Sequence, residues 1–374
     1  MKILISGGHL TPALAFIDYV RERSTEYSFV FVGRIYSRAT TKQKAKEKEA
    51  IKKRNIPFIA FDSGKLGEGS FFAIPYSLFK TLQAFFTSVS IFAKEKPDAY
   101  LSFGSYLSVP LALAAWVMRV PIIVHEQTRS IGFANGLVSR FARLVAVTYP
   151  ETARMVKNKH VAMTGNPIRA SILKTSDQKP EWFSTKSKDQ ILFIVGGSQG
   201  SEIINTTIAQ CLQQLTRKYI VIHQCGNKTT LRNYKKELEY EKKKLSQNTQ
   251  EKYFVREWIS AEDLAWVYTH AHIAISRAGA NTLQELSLRH IPTIYIPLPF
   301  SHQNEQYLNA KALADTKQAV LIPQKDLSPE VLLAEVEHLD KKHKAYKRAL
   351  EREQSEQAAG SQKLFEELSR ILPS

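Results

Sequence analysis

Ile191-Leu192-Phe193-Ile194-Val195-Gly196-Gly197-Ser198-Gln199-Gly200 runs from an uninterrupted apolar strand into a glycine turn, and a helical pattern begins near Ser201. Strand, glycine turn and helix in that order are how an α/β protein holds a diphosphate. Glycine lets the backbone approach a ligand closely, the first N–H groups of the helix point outward, and the helix dipole favours negative charge there. Ser198 adds a hydroxyl donor. Glycine turns after strands are common, so this turn alone does not separate a ligand site from an ordinary connection. Its surroundings do.

Outward from the turn, short β-branched or aromatic runs alternate with helical patterns. On the C-terminal side strands are expected near Gln190–Val195, Tyr219–Gln224, Lys252–Val255, Ile273–Ser276, Thr293–Pro297 and Ala319–Ile322. On the N-terminal side they are expected at Lys2–Ser6, Ser28–Gly33, Pro57–Phe61, Ala99–Phe103, Pro121–His125 and Leu144–Thr148. Such alternation predicts an α/β protein of doubly wound parallel sheets covered on both faces. After Asn166-Pro167 the apolar rhythm weakens, and Lys174–Lys188 is polar and charged with Pro180 inside it, which reads as a linker. Two Rossmann-like domains are therefore expected, over 1–166 and 167–340, facing a cleft at the carboxyl ends of their strands. Residues 341–374 read as a helical segment.

A length of 374 residues suits two domains, each large enough to bury a core. Hydrophobic content of 44% and charged content of 23% are ordinary for a soluble globular chain. The first strand runs directly into Gly7-Gly8, leaving no room for a signal peptide. Two cysteines, Cys211 and Cys225, provide no disulfide framework or metal cluster and fit a reducing cytoplasm. The formal charge of +17 implies attraction to something anionic: nucleic acid, lipid head groups or a phosphorylated substrate. Much of it lies in helical stretches such as Arg38–Arg54 and Lys341–Arg352, which equally read as solvated helix faces. No RNA- or DNA-reading signature is present, so a nucleic-acid partner is not expected.

Ser276-Arg277-Ala278-Gly279-Ala280 is a second turn of the phosphate type, leading into a helix with Thr282 near its start. Glu285, on the second turn of that helix, is placed to accept hydrogen bonds from vicinal ribose hydroxyls, although a lone helix glutamate is more often a solvated one. In the first half, Gly7-Gly8-His9 puts a histidine at a strand-to-helix turn, where it suits a general base or a merely structural ring. His125-Glu126-Gln127 ends a strand with a base, an acid and an amide, and Ser102-Phe103-Gly104-Ser105-Tyr106 closes another with small residues that admit a substrate.

The helix expected over Pro75–Ala93 carries Leu78, Leu82, Phe85, Val89 and Phe92 on one line, flanked by Phe79, Phe86 and Ala93. That apolar stripe is wider than burial needs. Lys80 and Gln83 interrupt it, so it makes a poor bilayer span. It reads either as a buried helix or as a patch resting on a membrane, with Lys80, Lys94 and Lys96 as cationic neighbours.

Taken in order, Gly7-Gly8-His9…Pro12-Ala13, Phe103-Gly104-Ser105-Tyr106…Pro110, His125-Glu126-Gln127, Thr164-Gly165-Asn166-Pro167-Ile168-Arg169, Gly196-Gly197-Ser198-Gln199-Gly200, Arg277-Ala278-Gly279-Ala280…Thr282…Glu285 and Gln306-Tyr307-Leu308-Asn309-Ala310 resemble the MurG family. Those enzymes are GT-B-fold undecaprenyl-diphosphomuramoylpentapeptide N-acetylglucosaminyltransferases of peptidoglycan synthesis. The resemblance covers the chain to about residue 325. It implies an inverting transfer from UDP-N-acetylglucosamine to the muramoyl 4-hydroxyl of a polyprenyl-diphosphate-linked muramoylpentapeptide, at the cytoplasmic face of an anionic membrane.

By the same resemblance Arg169, Ser198 and Gln199 contact the nucleotide or its phosphates. Ala280, Asn281 and Thr282 face the diphosphate, Glu285 binds ribose, Glu305 and Gln306 hold the sugar hydroxyls, and the Ile259 backbone reads uracil. The acceptor falls to Gly7, Gly8, Ser105, Tyr106 and Thr128, and the bilayer to Phe79, Lys80 and Phe86. His9 is the first expected base and the His125/Glu126 pair the second. No Asp-x-Asp motif is present, and neither metal nor cofactor is expected. The chain departs from the family's usual GGTGGH loop, which is shortened to Ser6-Gly7-Gly8-His9. Thr128 stands where asparagine is usual, and Glu305 where glutamine is common. Rival readings are a UDP-sugar transferase acting on another lipid such as diacylglycerol, a UDP-N-acetylglucosamine 2-epimerase, and a non-catalytic UDP-sugar-binding subunit.

Overall fold

The computed structural model describes residues 1–34, 36–38, 43–44, 46–61, 74–197, 199–227, 232–352 and 359–372, giving the backbone alone for 36–38, 43–44, 46–47, 74–81 and 302. The chain divides into two compact units, Met1–Arg169 with Gln357–Ser374, and Ala170–Glu356.

In the first unit the elements run β1 (Lys2–Gly7), α1 (Leu10–Arg21), β2 (Ser28–Gly33), β3 (Tyr36–Arg38), β4 (Gln43–Lys44), α2 (Lys46–Lys52), β5 (Phe58–Ala60), α3 (Ile74–Glu95), β6 (Ala99–Phe103), α4 (Ser108–Val117), β7 (Ile122–Glu126), α5 (Phe133–Val138), β8 (Leu144–Val147), α6 (Pro150–Met155) and β9 (Val161–Met163). Seven strands pair in parallel in the order β5-β2-β1-β6-β7-β8-β9. Strand side chains alternate between faces. Ile3, Ile5, Phe29, Phe31 and Leu101 pack beneath α1, whereas Leu4, Val32, Tyr100 and Val124 pack beneath α3 and α4. In the basic stretch Arg38–Arg54, read as helical, the described residues are helical over Lys46–Lys52; ahead of it β3 and β4 form a separate antiparallel pair.

The second unit runs α7 (Ala170–Leu173), β10 (Gln190–Val195), α8 (Glu202–Lys218), β11 (Tyr219–Gln224), α9 (Tyr234–Lys243), α10 (Gln247–Gln250), β12 (Tyr253–Arg256), α11 (Ala261–His270), β13 (Ala271–Ser276), α12 (Ala280–Leu288), β14 (Thr293–Tyr295), α13 (Glu305–Asp315), β15 (Ala319–Leu321), α14 (Pro329–Lys341) and α15 (His343–Arg352). Its six strands are parallel in the order β12-β11-β10-β13-β14-β15. Residues 174–188, read as a linker, dock here. Phe183 is buried against Phe254 and Trp266 at ring separations of 4.8 and 4.7 Å, and Trp182 donates its indole N–H to Asp263 at 2.9 Å.

The C-terminal helical segment is shared. α14 and α15 belong to the second unit, while α16 (Gly360–Ile371) returns to the first and buries Leu364 and Leu368 in the α1 core. Each such leucine stabilises the return by about 1.5–3 kcal/mol. Gly360 permits the approach, because a Cβ there would lie 2.3 Å from the Asn166 carbonyl oxygen.

In each unit the strand order reverses beside a central strand: between β1 and β6 in the first, between β10 and β13 in the second. Loops leaving the carboxyl ends of strands on either side of such a reversal splay apart, and ligands bind between them. The four loops so defined are those containing Gly8-His9, Gly104-Ser105, Gly196–Gly200 and Arg277–Gly279.

Candidate functional site

At the β1/β6 reversal the two loops touch where they leave the sheet, just beyond Gly7 and Phe103. A Cβ on Gly8 would lie 2.4 Å from Ser105 Cβ, and one on Gly7 would lie 2.5 Å from the Phe31 ring, so neither position tolerates a side chain without movement. Gly104 and Ser105 both take positive φ, +83° and +86°, which is a strained conformation for serine. His9 is the N-cap of α1, and its backbone N–H and its ring Nδ1 both meet the Phe103 carbonyl oxygen, at 3.3 and 3.0 Å. A carbonyl only accepts, so Nδ1 carries the proton and Nε2 keeps its lone pair. Tyr106 is half-buried, its ring 5.6 Å from the Arg34 guanidinium.

At the end of neighbouring β7, His125 is buried and donates from Nε2 to the Gly165 carbonyl at 3.0 Å. Burial lowers its pKa from 6.5 to about 4, so the ring is neutral. Glu126 is also buried. Its Oε1 accepts from the Thr128 N–H at 3.1 Å, and its Oε2 accepts from the Gly132 N–H and the Asn135 amide at 3.1 and 2.9 Å; the Thr128 hydroxyl, 2.8 Å from Oε1, shares its one proton with the nearer Ser130 carbonyl at 2.5 Å. Three donors and a share of the Thr128 hydroxyl proton hold both oxygens of the carboxylate. Glu126 therefore organises the 127–135 loop, and Thr128 is one of its ligands. Asn135, which no sequence motif singled out, ties this loop to the His9 side: a Cβ on Gly104 would sit 3.3 Å from the Asn135 amide and 3.5 Å from His9 Nδ1.

In the second unit the glycine turn is bound to the loop after β11. Gly197, Gly200 and Gly226 have φ near +87°, +81° and +87°, and a Cβ on Gly200 would lie 2.1 Å from the Cys225 carbonyl oxygen. Ser198, an expected phosphate ligand, lies outside the described residues; Gln199 is exposed. Neither Ser201, N-cap of α8, nor Gly279, N-cap of α12, makes a side-chain capping hydrogen bond, and the dipole of each helix favours negative charge at that end.

Ala280 is buried at the start of α12, with Asn281 and Thr282 half-buried beside it. Glu285 is buried one turn on, and its Oε2 accepts from the Tyr268 hydroxyl at 3.1 Å. Arg277 is a clamp: it donates to the Ile296 and Pro297 carbonyls at 3.0 Å each and to Gln324 Oε1 at 2.8 Å, and burial lowers its pKa to about 10. Gln303 and Asn304 take φ of 50° and 57°, making the abrupt turn that starts α13 with Glu305 and Gln306. Gln306 is not extended into solvent; its Oε1 accepts from the Leu298 N–H at 3.0 Å. Ile259 is buried and donates its backbone N–H to Gln224 Oε1 at 3.1 Å. Arg169 ends the N-terminal segment of the first unit, Met1–Arg169.

On α3 the side chains are described from Leu82 onward, so those of Phe79 and Lys80 lie outside the description. Ala84, Ile91 and Phe92 are buried toward α4, whereas Leu82 and Phe86 are 55% and 61% exposed. Composition did not reveal that Trp116, Val117 and Met118, at the end of α4, are exposed too.

Residues 6–147 match the glycosyltransferase family 28 N-terminal domain, and residues 191–366 match the family 28 C-terminal domain. The UDP-N-acetylglucosamine--N-acetylmuramyl-(pentapeptide) pyrophosphoryl-undecaprenol N-acetylglucosamine transferase of Clostridium perfringens (strain SM101 / Type A) is 33% identical over 353 residues, 92% of each chain. A transferase of the same name, numbered 2, from Bacillus anthracis is 31% identical over 94% of each chain. Among solved structures, Acinetobacter baumannii MurG superposes with a TM-score of 0.71 at 26% identity over 99% of both chains. The UDP-GlcNAc 2-epimerase of Neisseria meningitidis reaches 0.67 at 12% identity over 99% of this chain and 100% of its own, a likeness of fold alone.

Proposed function

The chain belongs to glycosyltransferase family 28, among its MurG-type N-acetylglucosamine transferases, and on that membership we infer its reaction and the residues that perform it. It transfers N-acetylglucosamine from UDP-N-acetylglucosamine to the diphosphate-linked muramoylpentapeptide of a polyprenyl carrier, a step of peptidoglycan synthesis. One observation carries this reading: the identity runs over 92% of both chains and so spans both units.

The first unit receives the acceptor and the second the donor. The muramoyl 4-hydroxyl oxygen attacks the anomeric carbon of the donor sugar, the bond from that carbon to the β-phosphate oxygen breaks, and UDP leaves with the electron pair. Configuration inverts because attack and departure occur on opposite faces. The hydroxyl proton passes to His9 Nε2, a choice supported by the Nδ1 contact to Phe103, which leaves Nε2 basic. Glu126 serves that site as organiser of its loop, held at both oxygens by the Thr128 and Gly132 N–H groups and the Asn135 amide. His125 supports the same wall as a neutral ring. Gly7, Gly8, Ser105, Tyr106 and Thr128 form the acceptor surface.

Charge that develops on the departing diphosphate is met by the uncapped N-termini of α8 and α12, with Arg169, Ser198, Gln199, Ala280, Asn281 and Thr282 as its ligands. Glu285, oriented by Tyr268, takes the ribose hydroxyls. Glu305 and Gln306 take the sugar hydroxyls, and Ile259 meets the uracil.

The protein works peripherally at the cytoplasmic face of the membrane. No helix among the described residues is long and apolar enough to cross a bilayer. The exposed Leu82, Phe86, Trp116, Val117 and Met118 on the packed α3/α4 pair, with the exposed cations Lys94, Lys96 and Arg119 on the same two helices and their ends, suit an anionic lipid surface. No nucleic-acid partner is proposed.

The test is transfer of labelled sugar from UDP-N-acetylglucosamine to detergent-solubilised polyprenyl-diphospho-muramoylpentapeptide, with diacylglycerol as the parallel acceptor. Product with the first acceptor alone is expected. Product with diacylglycerol alone, or donor binding without product, would overturn the reading.

A further inference from the structure

Beside the Gly7-Gly8 turn stands a cation that no sequence motif singled out. β1 and β2 pair in register as far as Ser6 and Val32, and two places further the same register brings Arg34 level with Gly8. The half-buried Arg34 leaves the carboxyl end of β2, and its guanidinium lies 5.6 Å from the ring centre of Tyr106, which follows β6. Because β1 lies between them, β2 and β6 are two inter-strand spacings, about 9–10 Å, apart. The Arg34 and Tyr106 side chains therefore meet across the end of β1, where Gly7 and Gly8 carry none. They also meet on one face of the sheet. Side chains two apart along a strand share a side, so Arg34 follows Val32, and Tyr106 packs against the same core as Val32, the one covered by α3 and α4. α1 covers the opposite face. The guanidinium is thus on the α3/α4 side of the glycine turn.

From this placement we propose that Arg34 is a ligand of the acceptor's diphosphate and selects a diphosphate link over a single phosphate, meeting it on the side from which the lipid arrives. The proposal rests on the reading above, in which the Gly7-Gly8 turn receives the acceptor and the exposed residues of α3 and α4 touch the bilayer. A lipid carried from that helix pair to the turn brings its diphosphate past Arg34. Gly7, Gly8 and Ser105 bring no charge of their own, and Glu126, at the end of β7, places an anion in the same wall. A guanidinium offsets both. Its planar fork holds two phosphate oxygens at once, which the point charge of an ammonium does not. The Tyr106 ring face attracts the cation without neutralising it, so the group is positioned and keeps its charge toward the ligand. A single phosphodiester carries one negative charge fewer than a diphosphate and gains less from the contact.

The test is steady-state transfer by the full chain to two water-soluble acceptors, muramoylpentapeptide joined to the same short prenyl group through a diphosphate or through a single phosphodiester, for wild type, Arg34→Met and Arg34→Lys. Soluble acceptors take vesicle binding out of the readout. Wild type is expected to prefer the diphosphate. Arg34→Met should lose about tenfold or more in kcat/KM on the diphosphate acceptor, mostly through KM for that acceptor, and no more than about twofold on the phosphodiester. The KM for UDP-N-acetylglucosamine should not move. Arg34→Lys keeps the charge without the fork and should recover part of the loss. The ratio between acceptors is read because partial misfolding lowers both activities alike. A wild-type enzyme indifferent to the link, an unchanged ratio in both folded variants, or equal losses on both acceptors would overturn the proposal while leaving the acceptor reading intact. Wild-type protein that glycosylates neither acceptor would overturn the acceptor reading, and this inference with it.

Discussion

His9 Nδ1 stands 3.0 Å from the Phe103 carbonyl oxygen, joining the carboxyl ends of two adjacent strands and fixing which ring nitrogen is basic. The base is thus oriented by backbone, and no carboxylate needs to stand behind it. Replacing His9 by Ala should lower turnover about a hundredfold or more, within the usual range for losing a general base, with donor affinity unchanged. Steady-state kinetics beside UDP titration reads both; normal turnover removes His9 as the base.

Glu126 should behave differently, since the hydrogen bonds to both its oxygens build the wall of the site. Glu126→Ala leaves buried donors from Thr128, Gly132 and Asn135 unpaired, and each costs about 1–3 kcal/mol. The unfolding midpoint is expected to fall in this variant but not in His9→Ala. Equal midpoints in a thermal melt would argue against the organising role.

Glu285→Ala should weaken UDP-sugar binding by about tenfold or more, because the ribose loses a charged acceptor. Tyr268→Phe removes the hydroxyl that orients Glu285 and should cost a few-fold in the same titration. Unaltered affinity in Glu285→Ala would defeat the ribose assignment.

Phe86→Glu combined with Trp116→Glu should reduce sedimentation with anionic vesicles at least tenfold, each aromatic being worth about 1.5–3 kcal/mol when buried in the interface. Both rings are already about three-fifths exposed, at 61% and 60%, so circular dichroism should not change. Undiminished vesicle binding would return α3 and α4 to ordinary surface.

Stability should fall with acid. His125 and His223 are buried as neutral rings, with pKa values lowered from 6.5 to about 4 and about 3, chiefly by burial. His223 is held as one tautomer, Nε2 donating to Asn205 Oδ1 at 3.0 Å and Nδ1 accepting from the Tyr253 hydroxyl at 2.9 Å. The unfolded chain takes up these protons near pH 6.5 and the native chain does not. Their contribution is complete above that pH and is lost as pH falls toward the native values, at up to about 1.4 kcal/mol per unit for each ring. Urea unfolding from about pH 7.5 down to about pH 5 measures this, and a level stability would contradict neutral burial.

Much of the architecture could be read from local pattern. Ser28–Gly33, Ala99–Phe103, Gln190–Val195 and Tyr219–Gln224 are strands at the expected bounds, because an apolar run closed by glycine or polar residues leaves few other conformations. Val161–Met163 escaped notice: it is a three-residue edge strand, flanked by His160 and Thr164, too short to show a period. Phe183, inside the stretch read as a polar linker, is a core residue, and its partners Phe254 and Trp266 come from distant parts of the chain, which no local pattern shows.

The same division holds at the site. Residue types and local units are legible in the chain order: the glycine turns, the helix starts behind them, His9 at a strand end and Glu285 one turn into a helix. Folding alone brings Phe103, 94 residues from His9, to set its tautomer, turns Gln224 toward Ile259 from 35 residues away, and returns α16 to the first unit rather than the second. Turns and helix starts follow from neighbours in the chain, whereas strand order and hydrogen-bond partners arise from packing between segments whose separation no local pattern encodes.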